Sequence, residues 1–253
     1  MLYVLKRHPV PVSAWFEHCL VLAYAYPAEA LRPLLPPGLT VDEWNSLGFV
    51  AVAMVQTRGL RPSRMPTALG MDFFLTGYRV FAKFRTPAGR TLRGLRILRS
   101  DADRRAMVLG GNMLTHYHYR LCASTVRREG DSLAVDVRTP RGEADVSVHA
   151  DLRADALLPE GSPFSDWKEA RRFAGPLPFT FDYERQTHSI VCIKGVREHW
   201  EPTPVRVRVD AMTFLRSSVL SGHQGRLASA FYTSGIDYRW ERGVRMPLSG
   251  AAL

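Results

Sequence analysis

The sequence predicts a mainly β, α+β chain: one β-rich domain over residues 1–253 with a few short helices. Three observations predict it. Short apolar segments alternate with turn signals from end to end. Within many of these segments the apolar positions recur with period 2. No Ser-, Gly- or Pro-rich stretch divides the 253 residues, and no repeat period stands out.

Element by element, Trp15–Tyr24 reads as a strand and Pro27–Leu35 as a short helix, begun by proline and stopped by Pro36-Pro37-Gly38. Phe49–Gln56 is apolar on both faces, which places it centrally. Phe74–Thr86 alternates Tyr78, Val80, Ala82 and Phe84 against Arg79, Phe81, Lys83 and Arg85. Pro87-Ala88-Gly89 turns the chain, and Thr91–Arg99 returns as the second arm of a hairpin. Asp101 is placed to cap a helix running through Leu114, with Gly110-Gly111 weakening its end. Thr115–Val126, Ser132–Thr139 and Ala144–Asp151 read as a meander. A helix at Asp166–Ala174 is capped by Ser165 and closed by Gly175-Pro176. Strands at Phe179–Glu184, Ser189–Glu198, Val205–Asp210 and Leu227–Trp240 complete a count of about ten strands and three or four helices.

Composition narrows the function classes. With 46% hydrophobic and 23% charged residues, the chain has material for a sizeable core, so a disordered protein is excluded. The apolar runs are far shorter than the roughly 18 residues of a spanning helix, and no secretory signal is convincing; the expectation is a cytoplasmic protein with no membrane partner. Cys19, Cys122 and Cys192 are far apart and form no CxxC pair, which excludes a cysteine-type structural zinc site and points to buried, reduced thiols. The formal charge is +10, and the basic residues are arginine-rich, with lysine only at 6, 83, 168 and 194. The arginines are scattered without a run of three, and no nucleic-acid motif accompanies them, so a nucleic-acid partner is not expected. No GxSxG elbow, phosphate-binding loop or dinucleotide fingerprint occurs; Ser221-Gly222-His223 reads as a turn, and no cofactor is expected.

Four segments carry a family resemblance: PAEALRPLLPPGL at Pro27–Leu39, LTGYRVF at Leu75–Phe81, GLRILRSD at Gly94–Asp101 and GNMLTHY at Gly111–Tyr117. Together they resemble the domain-of-unknown-function family 2071 of the acetoacetate decarboxylase-like superfamily, over nearly the whole chain. The resemblance implies a cone-shaped antiparallel β-barrel with an interior pocket, and no established reaction. Decarboxylases of that superfamily carry a Gly-Arg-Glu segment followed by Pro-Lys-Lys, one lysine forming a Schiff base. Here Gly111–Arg120 has no lysine and no glutamate; Asn112 and Met113 replace the Arg-Glu pair, and Tyr119 or Arg120 falls where the lysines would be. Arginine cannot serve as that amine because it stays protonated. Lys194, on a strand face with Ile190, Cys192 and Val196, is the remaining lysine to weigh, either desolvated or reaching water from a sheet end.

The expected ligand is therefore a small anion with an apolar body. Arg96 sits on the face of Leu92, Gly94 and Leu98, where a guanidinium implies either an internal carboxylate such as Asp101 or Asp103, or a bound anion. Asn112 would add an amide, and Tyr78, Tyr117 and Tyr119 rings and hydroxyls. If Thr115–Val126 is one strand, His116 and His118 share the face opposite Tyr117 and Tyr119; the tyrosine face is favoured inward because Leu121 and Ala123 continue it. The two histidines could exchange protons or hold a metal with a distant third ligand, but no metal site is expected. The alternatives are a non-catalytic structural or interaction module, marked by a filled interior, and a nucleic-acid binder, marked by a basic stripe. Monomer and homo-oligomer both stay open.

Overall fold

A computed structural model describes residues 2–153, 156–175, 177–216, 220 and 223–248. Pro176, Ser221 and Gly222 lie outside the described residues. The first strands are β1 (Val12–Pro27), β2 (Leu39–Val41), β3 (Leu47–Pro62), β4 (Met71–Arg85) and β5 (Thr91–Ala102), with α1 (Ala28–Leu31) after β1. α2 (Arg105–Leu114) leads to β6 (Tyr119–Leu121), β7 (Ala123–Glu129), β8 (Ser132–Arg138) and β9 (Val146–Asp151). α3 (Trp167–Ala174) precedes β10 (Phe179–Glu184), β11 (Ser189–Arg197), β12 (Thr203–Pro204), β13 (Arg206–Met212), β14 (Arg226–Thr233), β15 (Ile236–Trp240) and β16 (Val244–Pro247). Of the described residues 53% are in strands and 17% in helices or helical turns, so the fold is mainly β.

The larger sheet closes on itself. β1 pairs β3, β3 pairs β4, and β4 pairs β5, all antiparallel. β5 pairs β10 in parallel; antiparallel pairs of β10 with β11, β11 with β15 and β15 with β1 complete the circuit. Such closure removes the unpaired edges of these strands. β7, β8, β9 and β13 form a second, antiparallel sheet.

Strand alternation sets what lies inside and outside the ring. On β1 and β3, Leu20, Leu22, Val50, Val52 and Met54 point outward and pack with Leu133, Val135, Val137, Val146 and Val148 of the second sheet. The intervening Cys19, Val21, Ala51, Ala53 and Val55 point inward. The inward set is the smaller, so the ring interior is left partly unfilled. This is the reason for the two apolar faces of β3.

Several expected boundaries shift for local reasons. Asp101 lies within β5, not at a helix cap: it forms a fork with Arg99 (Nε–Oδ2 2.7 Å, Nη2–Oδ1 2.8 Å). The residue before α2 is Arg104. α3 is capped by Asp166, which accepts from Glu169 N at 2.7 Å, while Ser165 N donates to the Glu169 carboxylate at 2.7 Å. The expected Thr115–Val126 strand starts only at Tyr119 and is interrupted at Cys122, because 115–118 is a bend with His118 at φ +52°. The expected Leu227–Trp240 strand is split into β14 and β15, with Gly235 at φ +67° between them. Among the described residues, no helix is long and apolar enough to cross a membrane.

Candidate functional site

The unfilled ring interior is a cavity of about 300 Å³, at the small end of ligand pockets. Its walls are Phe16, Cys19, Ala51, Ala53, Phe81, Ile97, Phe231 and Trp240, among others; α2 contributes Met107 and Gly111. Among its described lining residues there is no Asp, Glu or Lys, whereas His8, Arg61, Arg79 and Arg197 all line it. A wall of this kind favours an apolar body carrying negative charge.

Arg79 is the polar group that the fold holds inside. Its strand neighbours are Ala51 on β3 and Ile97 on β5. The preceding inward residue is Gly77, and the guanidinium folds back over it: a Cβ at 77 would lie 3.0 Å from Nη2 and 3.1 Å from Nε. A side chain at 77 would crowd this path and push the guanidinium aside by a few tenths of an ångström. The buried Nε has no hydrogen-bond partner, and no carboxylate stands within 4.0 Å of Arg79 among the described residues. The other two arginines are engaged. Arg61 donates to the Gly59 carbonyl at 2.9 Å and the Met65 carbonyl at 3.1 Å, and Arg197 lies over the Trp200 ring at 4.8 Å and bonds Tyr238.

Phenols and one imidazole complete the polar lining. Tyr117, Tyr119 and Tyr238 all line the cavity. Burial raises each of their pKa values, that of Tyr119 to about 12, while the positive field of Arg79 acts in the opposite sense on all three. They are neutral donors near pH 7. The Tyr117 hydroxyl is buried without a partner among the described residues, as is Nδ1 of His8, whose pKa burial lowers. Burial also raises Cys19 to about 12, so its thiol is protonated.

Packing explains why these rings sit where they do. Gly111 faces Tyr119, whose ring occupies the space a Cβ would need; Gly195 does the same for the Tyr238 hydroxyl. Asn112 clamps the start of β6: its amide nitrogen donates to the Tyr119 carbonyl at 2.9 Å and its oxygen accepts from Tyr119 N at 2.7 Å. That exchange satisfies both amide groups on the main chain, so Asn112 positions Tyr119 and is not itself a lining residue.

Of the residues singled out from sequence, the structure brings Tyr117 and Tyr119 together in the cavity and places Arg96, Asn112 and Tyr78 elsewhere. Arg96 pairs with Asp182 and reaches the Phe181 carbonyl, because the parallel pairing of β5 with β10 sets Phe181 beside it. Tyr78 faces the second sheet, packs on Phe214 at 4.4 Å between ring centroids and points its hydroxyl at the Ala144 carbonyl. Leu121 and Ala123, expected to continue the tyrosine stripe inward, are exposed. His116 and His118 lie on the bend, not on a strand face; burial lowers the pKa of His116. Among the described residues no cluster of His, Cys, Asp or Glu could hold a metal.

The four lysines lie outside the lining. Lys194 is half exposed, 3.8 Å from Glu241. Lys83 is 3.8 Å from Asp42, Lys168 is exposed, and Lys6 is on the N-terminal helical turn.

The comparisons with known proteins agree with this fold. The model of the domain-of-unknown-function family 2071, described as an uncharacterized conserved protein, matches residues 13–237. The chain belongs to that family. No curated protein matches it in sequence. Solved structures share the fold. Acetoacetate decarboxylase from Legionella pneumophila is 14% identical at a TM-score of 0.61, covering 96% of this chain and 90% of that one. An acetoacetate decarboxylase-like enzyme from Sphingomonas wittichii is 13% identical at 0.57, covering 93% and 92%. The enduracididine biosynthesis enzyme MppR, solved as a complex with pyruvate, is 11% identical at 0.59, covering 94% and 90%.

Proposed function

We propose that this family member binds a small carboxylic acid with an apolar body inside the ring, its carboxylate on Arg79, and that it does not use a lysine Schiff base. The observation that carries the reading is the Arg79 guanidinium, with no ion pair among the described residues, in a cavity whose described lining holds no carboxylate. The partly buried guanidinium has no counter-charge beside it among the described residues, and a bound carboxylate supplies one. Tyr117 supplies a free hydroxyl to a second ligand oxygen, and the aliphatic and aromatic wall takes the body. The pyruvate complex of MppR shows that a related fold accommodates a small carboxylate. The same inventory speaks against amine catalysis, since Tyr119 or Arg120 falls where the family resemblance would put the lysines and all four lysines lie outside the lining. An open interior also disfavours a purely structural module.

The test is a thermal-shift panel of acids and matched amides, such as hexanoate with hexanamide and 3-phenylpropanoate with 3-phenylpropanamide. Binding to the native state raises Tm. Acids should raise it and amides should not; equal shifts from both would overturn the anchor. Borohydride added with pyruvate should leave the protein mass unchanged, whereas a covalent adduct on Lys194 would restore the amine mechanism.

A further inference from the structure

We propose that the face around the cavity opening docks on an anionic phospholipid bilayer. Three segments build that face: residues 2–10, residues 62–71 and α2 with its preceding Arg104. They are contiguous. His8 N donates to the Leu114 carbonyl, Ser63 N to the Pro11 carbonyl, and Met107 and Val108 pack with Leu60 and Met71. Val10, Pro62 and Ala106 both line the cavity and are exposed, so the cavity reaches the surface here.

The face is apolar to an unusual degree. Seven of the eleven exposed large apolar side chains among the described residues lie on these segments, which make up only about an eighth of the chain. They are Val4, Leu5, Val10, Met65, Leu69, Leu109 and Met113. Single exposed leucines are ordinary, but this concentration is not. On α2 the pattern is inverted locally: Met107 and Gly111 pack inward, while Leu109 and Met113, four apart and therefore on one side, are 74% and 56% exposed.

Charge selects the occupant. The three segments contain no Asp or Glu. Lys6, Arg7, Arg64, Arg104 and Arg105 stand on them; Arg7 pairs with the buried Glu184, and the other four make no ion pair among the described residues. Protruding apolar side chains ringed by free cations match an interface of acyl chains and anionic headgroups. A second copy of the same face would set like charges together, so self-association is disfavoured. No spanning element is involved; the contact is peripheral. The proposal stands apart from the Arg79 reading, because vesicles without any free acid test it.

The experiment is co-sedimentation with vesicles of phosphatidylcholine alone or mixed with phosphatidylglycerol, at low and high salt. The full chain should sediment with the mixed vesicles, and salt should weaken it. Leu109→Ser with Met113→Ser, and separately Arg104→Glu with Arg105→Glu, should each reduce binding about tenfold or more. All four positions are solvent-facing, so unchanged Tm values should accompany the loss, and Leu157→Ser on another surface should bind as wild type. Equal binding to both vesicle types, unchanged binding by the Leu109/Met113 variant, or a wild-type dimer that this variant dissociates would each overturn the proposal.

Discussion

Replacing Arg79 by methionine removes the guanidinium while keeping much of the side-chain volume. A hydrogen bond to a charged group is worth about 1.5–3 kcal/mol, and 1.4 kcal/mol is tenfold in affinity, so acids should bind roughly 10- to 150-fold more weakly. Stability should not fall with it. Among the described residues Arg79 holds no carboxylate and its buried Nε has no partner, so its removal leaves no orphaned counter-charge. Isothermal titration with the acid giving the largest Tm shift measures the first effect, and urea denaturation the second. Arg79→Lys should fall between, retaining charge but losing the planar fork. Undiminished binding by the methionine variant would refute the reasoning. So would loss of binding on replacing Arg96 by leucine with the fold intact, since Arg96 is committed to Asp182.

Three further outcomes follow from buried groups. Burial raises Cys19, Cys122 and Cys192 to about 12, so at pH 8 only about one thiol in ten thousand is thiolate, against about a quarter for an ordinary cysteine. Thiol reagents should therefore label the native protein roughly a thousandfold more slowly than the urea-unfolded chain; rapid native labelling would show that the thiols are open. Asp101→Leu leaves the buried Arg99 without its main partner and should cost about 3–5 kcal/mol by urea denaturation, with much of it restored by adding Arg99→Met; a loss below about 1 kcal/mol would mean that the pair matters little. Burial lowers the pKa of His8, His18 and His116, so the unfolded chain takes up more protons as pH falls through 6.5. Stability is present above that value and lost below it, and Tm should drop across the window, less so in His8→Gln; a flat or rising Tm would contradict the burial of these rings.

The fold was legible because it rests on patterns that single strands carry. β3 is apolar on both faces since it has a cavity on one side and a second sheet on the other. The β4–β5 hairpin follows from alternation and from Gly89 at φ +80°. What stayed hidden depended on pairing between distant segments. The register of β4 against β5 shifts between Tyr78 and Arg79, where Arg79 lies opposite Ile97 and Tyr78 opposite Arg99. That irregularity separates Arg99 from the face of Leu95 and Ile97, and periodicity alone cannot place it. The partner of Arg96 lies 86 residues away, brought in by the parallel β5–β10 pair. Arg79 shares its strand face with Lys83 and Arg85, which reads as solvent, yet Phe73, Leu75 and Phe81 share it too. The glycine two residues before Arg79 was the available signal, because it opens room for the guanidinium to fold back. Tyr117 and Tyr119 reach the cavity through the bend at His118 and the Asn112 clamp, not through a continuous strand.

The most direct measurement is a crystal structure of the protein with the acid that raises Tm most. The carboxylate should lie within hydrogen-bond distance of the Arg79 guanidinium, with an oxygen reachable from the Tyr117 hydroxyl and the apolar body against Ala51, Ala53 and Ile97. A carboxylate resting on Arg96, on Lys194 or anywhere outside the ring, with Arg79 still unpartnered, would contradict the account.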